Sequence, residues 1–225
     1  MIMNFQISYL GLNSGRDAEG MMKRGVPVLG FEPVPAPCEA LRNAFLHGPT
    51  GSKLMCGVAT DKEGGEVPMF IGTGNGTPRS TLHKEIVEDL GFKTETVQVP
   101  CYTVSNHIPS DIPEVFLFKS DTQGHELYVL RGVEHYLETG GRIHMMFVEF
   151  SPFLLQEAGE ESSAEALLEW MDNWDYHCKL LRHHDPKKGG VKNPIYGEID
   201  GHRFEHQFGD LICLHKTEPF PVRWT

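Results

Sequence analysis

The chain has 225 residues, with 20 basic and 31 acidic side chains and a net charge of -11. Its 40% hydrophobic and 23% charged residues exclude a disordered, collagen-like or coiled-coil chain. The acid excess argues against a general nucleic-acid binder, because phosphate contacts require a basic face. The length suits one large domain with a full core over residues 1–225. No apolar run approaches the roughly 20 residues that cross a bilayer, so no membrane span is expected. Met1 to Leu10 has no basic segment followed by an apolar one, so no secretory signal is read there. Five cysteines, an odd number with no CxxC pair, predict free and mostly buried thiols and a cytoplasmic location.

Phe5 to Leu10 is short, apolar and β-prone, and predicts a buried strand running into a glycine turn. Asp17 to Arg24 carries helix formers and is stopped by Gly25 and Pro27. Val26 to Phe31 predicts a second strand. Pro35 to Leu46 predicts a helix with proline in its first turn, where the missing N–H does no harm. Lys53 to Ala59 predicts a third strand. This alternation is the spacing of βαβ units, which build parallel sheets.

A glycine-rich stretch surrounds a short strand at Val67 to Ile71. Ser80 to Leu90 predicts a helix and Thr94 to Thr103 a strand. Val115 to Lys119 predicts a buried strand, Gln123 to Leu137 a helix with a leucine stripe, and Arg142 to Phe150 a strongly apolar strand. Ser162 to Trp174 predicts a helix capped by Ser162 or Ser163. Tyr176 to Leu181 and Gln207 to Leu214 are late strands. The polar segment 183–206 between them is long enough for a lid or an inserted hairpin. The whole predicts one α/β domain with a doubly wound, mostly parallel sheet.

The glycine loop Gly11-Leu12-Asn13-Ser14-Gly15 follows the first strand. Glycines there let the backbone turn sharply and approach a ligand, and the next helix begins at the same place. Glu32 ends the second strand, roughly 20 residues downstream, where a carboxylate can hold ribose hydroxyls. There is neither a full GxGxxG fingerprint nor a GxxxxGK[ST] phosphate loop. A nucleoside without a pyrophosphate, such as S-adenosylmethionine, therefore fits better than NAD or a nucleoside triphosphate.

The second constellation is Lys119-Ser120-Asp121-Thr122-Gln123-Gly124-His125-Glu126, where a strand hands over to a helix. In an open α/β sheet that edge is where ligands bind. A lysine ending an apolar strand needs a partner when buried, and Asp121, Glu126 and Glu149 are the candidates. A purely structural salt-bridge knot with a helix cap explains the same residues equally well.

Gly11 to Gly15, Phe31-Glu32-Pro33, Lys119 to Glu126 with Val129-Leu130-Arg131-Gly132, and Phe147-Val148-Glu149-Phe150 together resemble the FkbM-type methyltransferases. They occur in that family's order, and the resemblance spans about Phe5 to Leu214. It implies a Rossmann-like class I methyltransferase fold, with a seven-stranded, mostly parallel sheet, helices on both faces and an antiparallel last strand. It also implies S-adenosylmethionine as donor and O-methylation of a hydroxyl on a sugar or other small natural product. Gly11, Asn13, Gly15, Glu32, Pro33 and Asp61 would bind the donor, with Asp61 of Ala59-Thr60-Asp61 near adenine. Asp121 would be the base or would orient the acceptor, Lys119 would hold Asp121 or stabilise charge, and His125 and Glu126 stand second. Glu149 would pair with Lys119 or line the pocket. Two positions depart from the family pattern: Tyr9, where an acidic residue is usual, and Gln123, where glutamate is frequent. They favour the alternative reading, a non-catalytic methyltransferase-like binding module.

Histidine is abundant, with 12 residues. His183, His184, Asp185, His202 and His206 cluster in the late loop, but their spacing is looser than that of zinc sites and no metal is expected. Trp170 and Trp174, four apart on a helix, are expected in the core. Carboxylates at the strand ends disfavour a polyanion and favour a small neutral hydroxylated acceptor. The sequence leaves the oligomeric state open, a homo-oligomer included.

Overall fold

The computed structural model describes residues 6–12, 15–73, 80–82, 84, 93–159, 161–182, 196–197 and 209–218. In chain order, β1 (Gln6–Leu10) leads to α1 (Arg16–Met22), β2 (Val28–Phe31), α2 (Pro35–Leu46) and β3 (Lys53–Met55). Then come β4 (Val58–Ala59), β5 (Glu66–Thr73), β6 (Ser80–Thr81) and β7 (Lys93–Tyr102). β8 (Glu114–Ser120) is followed by α3 (Glu126–Arg131), α4 (Glu134–Glu138) and β9 (Arg142–Phe150). α5 (Pro152–Glu157), α6 (Ala164–Asn173), β10 (Tyr176–Arg182), β11 (Tyr196–Gly197) and β12 (Gly209–His215) complete the series.

The main sheet has eight strands in the order β3-β2-β1-β8-β9-β12-β10-β11. Every pairing from β3 to β9 is parallel, and β12 runs antiparallel to both β9 and β10. The expectation of seven strands is therefore corrected: a two-residue strand, β11, extends the edge beyond β10. A second sheet of four strands, β4-β7-β5-β6, forms beside it.

Both faces of the main sheet are covered, and the alternation along the strands shows it. On β2, Val28 joins one apolar cluster and Leu29 the other, so all four residues of this strand are buried. The first cluster packs Leu41 and Phe45 of α2 against Ala18 and Met22 of α1. The second packs Leu127 and Leu130 of α3 and Leu167, Trp170 and Met171 of α6 against Ile143, Met146, Val148 and Phe150 of β9. Trp170 lies in this core and Trp174 packs against it, their ring centroids 6.0 Å apart. The Trp170 indole N–H donates to Glu134 Oε1 at 2.7 Å. Helix α6 starts where Ser163 accepts the Ala166 amide at 3.1 Å, as a serine N-cap should.

Several expectations are corrected. The strand read over 53–59 is two strands, β3 and β4, in different sheets. The helix read over 123–137 begins only at Glu126 and is interrupted at Gly132-Val133. Ser80 and Thr81, read as a helix start, pair with β5 as strand β6. Four of the five cysteines are bonded, Cys38 to Cys56 and Cys178 to Cys213, and only Cys101 is a free thiol, buried. The first bridge joins α2 to the end of β3, and the second joins directly opposed residues of β10 and β12. The inference from reduced thiols to the cytoplasm loses its premise. Among the described residues no helix is long and apolar enough to cross a membrane.

Candidate functional site

Strand β1 lies between β2 and β8, so the chain leaves it in one direction first and returns on the other side later. That reversal opens a crevice beyond the carboxyl ends of the parallel strands, the usual ligand site of open α/β sheets. Register places Tyr9 opposite Gly30 on one side and Lys119 on the other. The chain segments just past these strands, at Gly11, Glu32 and Asp121, therefore converge on one edge.

Gly11 has a φ of +74°, and a Cβ there would lie 2.0 Å from the Asp121 carbonyl oxygen. Only glycine allows this backbone conformation and this approach together. The Gly11 amide donates to the Phe31 carbonyl at 3.2 Å, tying the loop to the end of β2 as well. Gly15 is the N-cap residue of α1, also at positive φ, and its amide donates to the Leu12 carbonyl at 2.7 Å. Asn13 lies outside the described residues.

Glu32 is 3% exposed at the end of β2, and its Oε1 accepts the Val34 amide at 2.9 Å. Pro33, partly buried, forms the link between that carboxylate and the amide it accepts. The Glu32 amide donates to the Met55 carbonyl, which fixes the carboxylate between the ends of β2 and β3. Asp61 follows β4, and its Oδ1 accepts the Thr60 hydroxyl at 3.0 Å.

Lys119 Nζ sits 3.5 Å from Asp17 Oδ2 and 3.9 Å from Asp121 Oδ2. Asp121 is the expected partner. Asp17, in the first turn of α1, is one the sequence did not single out. Of the two expectations for Glu149, pairing with Lys119 or lining the pocket, the pairing gives way to another arrangement. Gln123 donates from Nε2 to both Glu149 oxygens, at 2.8 and 2.9 Å, and to Asp121 Oδ1 at 3.1 Å. Its backbone amide donates to Glu149 Oε2 at 3.2 Å.

The last two residues of the block face different ways. Glu126 is 1% exposed and accepts the Thr122 amide at 2.8 Å, the Thr122 hydroxyl at 3.0 Å and the Gly124 amide at 3.0 Å. It closes the turn between β8 and α3, with orphan donors satisfied by one carboxylate. His125 turns the other way. Its Nε2 is 3.1 Å from the Thr60 hydroxyl, and its ring stacks on Tyr128 at 4.7 Å. Because that hydroxyl donates to Asp61, Nε2 must be the protonated nitrogen, giving a chain from His125 through Thr60 to Asp61. His125 thus reaches Asp61 only through the Thr60 hydroxyl.

Burial sets the electrostatics. Desolvation pushes the Glu149 carboxyl up to about 9, with the nearby carboxylates of Glu126, Asp121 and Asp210 adding repulsion. Desolvation likewise raises Glu126 to about 7, against the hydrogen bonds it accepts. Asp210, buried on β12, stands directly across from Glu149 in the antiparallel register. It was not legible as a site residue because only the reversal of β12 brings it to this edge. His183, His184, Asp185, His202 and His206 lie outside the described residues. Among the described residues no group of three or more ligating side chains is arranged for a metal.

A mostly parallel sheet with a glycine turn after β1 and a buried carboxylate at the end of β2 defines an open α/β protein of the Rossmann-like kind. The chain belongs to the FkbM methyltransferase family, whose model, the Methyltransferase FkbM domain, matches residues 11–178. No curated protein matches the chain.

Among solved structures, it is similar to a TehB-like SAM-dependent methyltransferase from Corynebacterium glutamicum at 12% identity, covering 96% of this chain and 83% of that one, with a TM-score of 0.44. It is similar to a ribosomal protein L11 methylase from Lactobacillus delbrueckii subsp. bulgaricus at 11% identity, with 96% and 72% covered and a TM-score of 0.45. A precorrin 8W decarboxylase from Methanobacterium thermoautotrophicum is similar at 12% identity, with 94% and 81% covered and a TM-score of 0.44. Likeness at this level carries no weight for substrate or mechanism.

Proposed function

We propose that the protein transfers a methyl group from S-adenosylmethionine to a hydroxyl of a small, neutral acceptor. The observation that supports this most is convergence. In a chain of the FkbM family, the glycine loop, Glu32 and the Lys119–Asp121 pair meet at one sheet edge. The residues present fit the donor. Glu32 is a buried carboxylate at the strand end where ribose hydroxyls are held. Gly11 brings bare backbone to the edge, and Asp17 and Asp121 set negative charge near a cationic ligand.

When bound, S-adenosylmethionine supplies an electrophilic methyl group on a sulfonium that leaves readily. The chain's own task is to bring the acceptor into line and to manage one proton. Asp121, whose side chain is 41% exposed while Glu126 and Glu149 are buried, is the group that takes the hydroxyl proton or orients the hydroxyl. Lys119, held between Asp17 and Asp121, balances the charge around that carboxylate. Burial and the neighbouring carboxylates favour the protonated form of Glu149, which limits the negative charge beside Asp121. The acidic lining disfavours phosphorylated or otherwise polyanionic acceptors.

Two experiments test the reading. Calorimetric titration with S-adenosylmethionine and S-adenosylhomocysteine should show binding that Glu32→Ala weakens about 10- to 100-fold, the value of hydrogen bonds to a charged group. Wild-type affinity in that variant would refute the ribose assignment. Incubation with labelled donor and a panel of neutral polyols and glycosides should then show transfer that Asp121→Asn abolishes. Unchanged transfer would remove Asp121 from the mechanism, and donor binding with no transfer to any acceptor would favour a binding module.

A further inference from the structure

Gln123 is one of two non-glycine residues among those described with positive φ, at 56°. A side chain in that region is strained, so a glutamine there calls for a reason in its contacts. Its amide supplies one. The two Nε2 hydrogens are divided between carboxylates on different segments, Asp121 after β8 and Glu149 at the end of β9. The Gln123 carbonyl in turn accepts the Thr81 hydroxyl at 3.4 Å, which links this turn to the second sheet. The charged groups around the bridge are Lys119 and Asp121 from the β8 side, Asp17 from α1, Glu126 from α3, Glu149 from β9 and Asp210 from β12. The one cation in that set, Lys119, faces Asp17 and Asp121. Among the described residues, the hydrogen bonds to Glu149 come from Gln123.

We propose that Gln123 is the positioning residue for Asp121, its neutral amide anchoring the acceptor-side carboxylate to the buried Glu149. This rests on the methyl-transfer reading given above. A primary amide is suited to the place. It donates to two carboxylates at once and adds no charge, whereas a glutamate would bring another anion and no donor. With Oδ1 held by the amide, Asp121 keeps Oδ2, the oxygen nearer Lys119, for the acceptor. Glu149 serves as the fixed wall of this arrangement, held by three hydrogen bonds from Gln123 and buried away from the acceptor.

The test follows the 13C resonances of Asp121 and Glu149 through a pH titration, assigned with Asp121→Asn and Glu149→Gln. In the wild type, the Asp121 carboxyl signal should show a second inflection where Glu149 titrates, because the amide transmits the change. Gln123→Leu, close in size and without donors, should lose most of that inflection. Gln123→Glu is the second variant. It should keep a bridge at low pH, where its own acid form donates, and lose it on ionising. Donor affinity by calorimetry should change less than about threefold in both variants, showing that the fold and donor site stand. An inflection of full amplitude in both would overturn the positioning role. Failure of the wild type to bind S-adenosylmethionine would overturn the underlying reading instead.

Discussion

Glu149 offers a quantitative test of the site's electrostatics, through the variant Glu149→Gln. The carboxyl is 3% exposed and is raised from 4.5 to about 9, chiefly by desolvation. A group whose folded value lies above its unfolded value contributes its full stability below the unfolded value. That contribution is lost as pH rises toward the folded value. Between about 4.5 and 9, the folded wild type therefore holds a proton that the unfolded chain has released. Each such proton costs about 1.4 kcal/mol of stability per pH unit.

From pH 6 to 8 the wild type should lose about 1–3 kcal/mol relative to Glu149→Gln, the lower end applying if charging is shared with Glu126. The glutamine keeps an oxygen to accept from Gln123 and never ionises. Urea unfolding at four pH values across 5.5 to 8.5 measures both curves. A difference between the two proteins that stays constant across that range would show that Glu149 is not a buried acid.

Four further outcomes follow from the structure. Gly11→Ala places a Cβ 2.0 Å from the Asp121 carbonyl oxygen at positive φ, and should cost at least about 2 kcal/mol in unfolding free energy as well as donor binding. Thiol titration of the protein denatured without reductant should find Cys101 alone, and five thiols only after reduction. Cys38→Ser, which opens a loop with a sequence separation of 18 residues, should lower stability by about 3 kcal/mol, read from the denaturant midpoint. Lys119→Met should leave donor affinity near that of the wild type and slow methyl transfer, since it removes the cation between Asp17 and Asp121.

Local signals made the first half of the sheet legible. Apolar runs flanked by glycine and proline marked β1, β2 and β8, and helix α2 was read with both its ends correct. The candidate site was legible wherever it depended on residues close in sequence to a strand end, as with Glu32 and the Lys119–Asp121 pair. Reading failed where long-range packing decides. The break between β3 and β4 falls at Gly57, where a Cβ would meet the Pro100 carbonyl oxygen at 2.5 Å, a neighbour 43 residues away in sequence. Cys178 and Cys213 become partners only because β12 inserts antiparallel beside β10. Asp17 and Asp210 were missed for the same reason, since no spacing rule links α1 to the end of β8 or β12 to the end of β9.

The backbone contact between Gly11 and Asp121 leaves no free space between the donor loop and the acceptor loop. A displacement of either segment is therefore transmitted to the other. Energy released by binding at one loop becomes available at the other, and thermodynamic reciprocity makes the exchange equal in both directions. On the proposed reading, two ligands meeting across this contact would be coupled, and the affinity of an acceptor would have meaning only when the state of the glycine loop is specified.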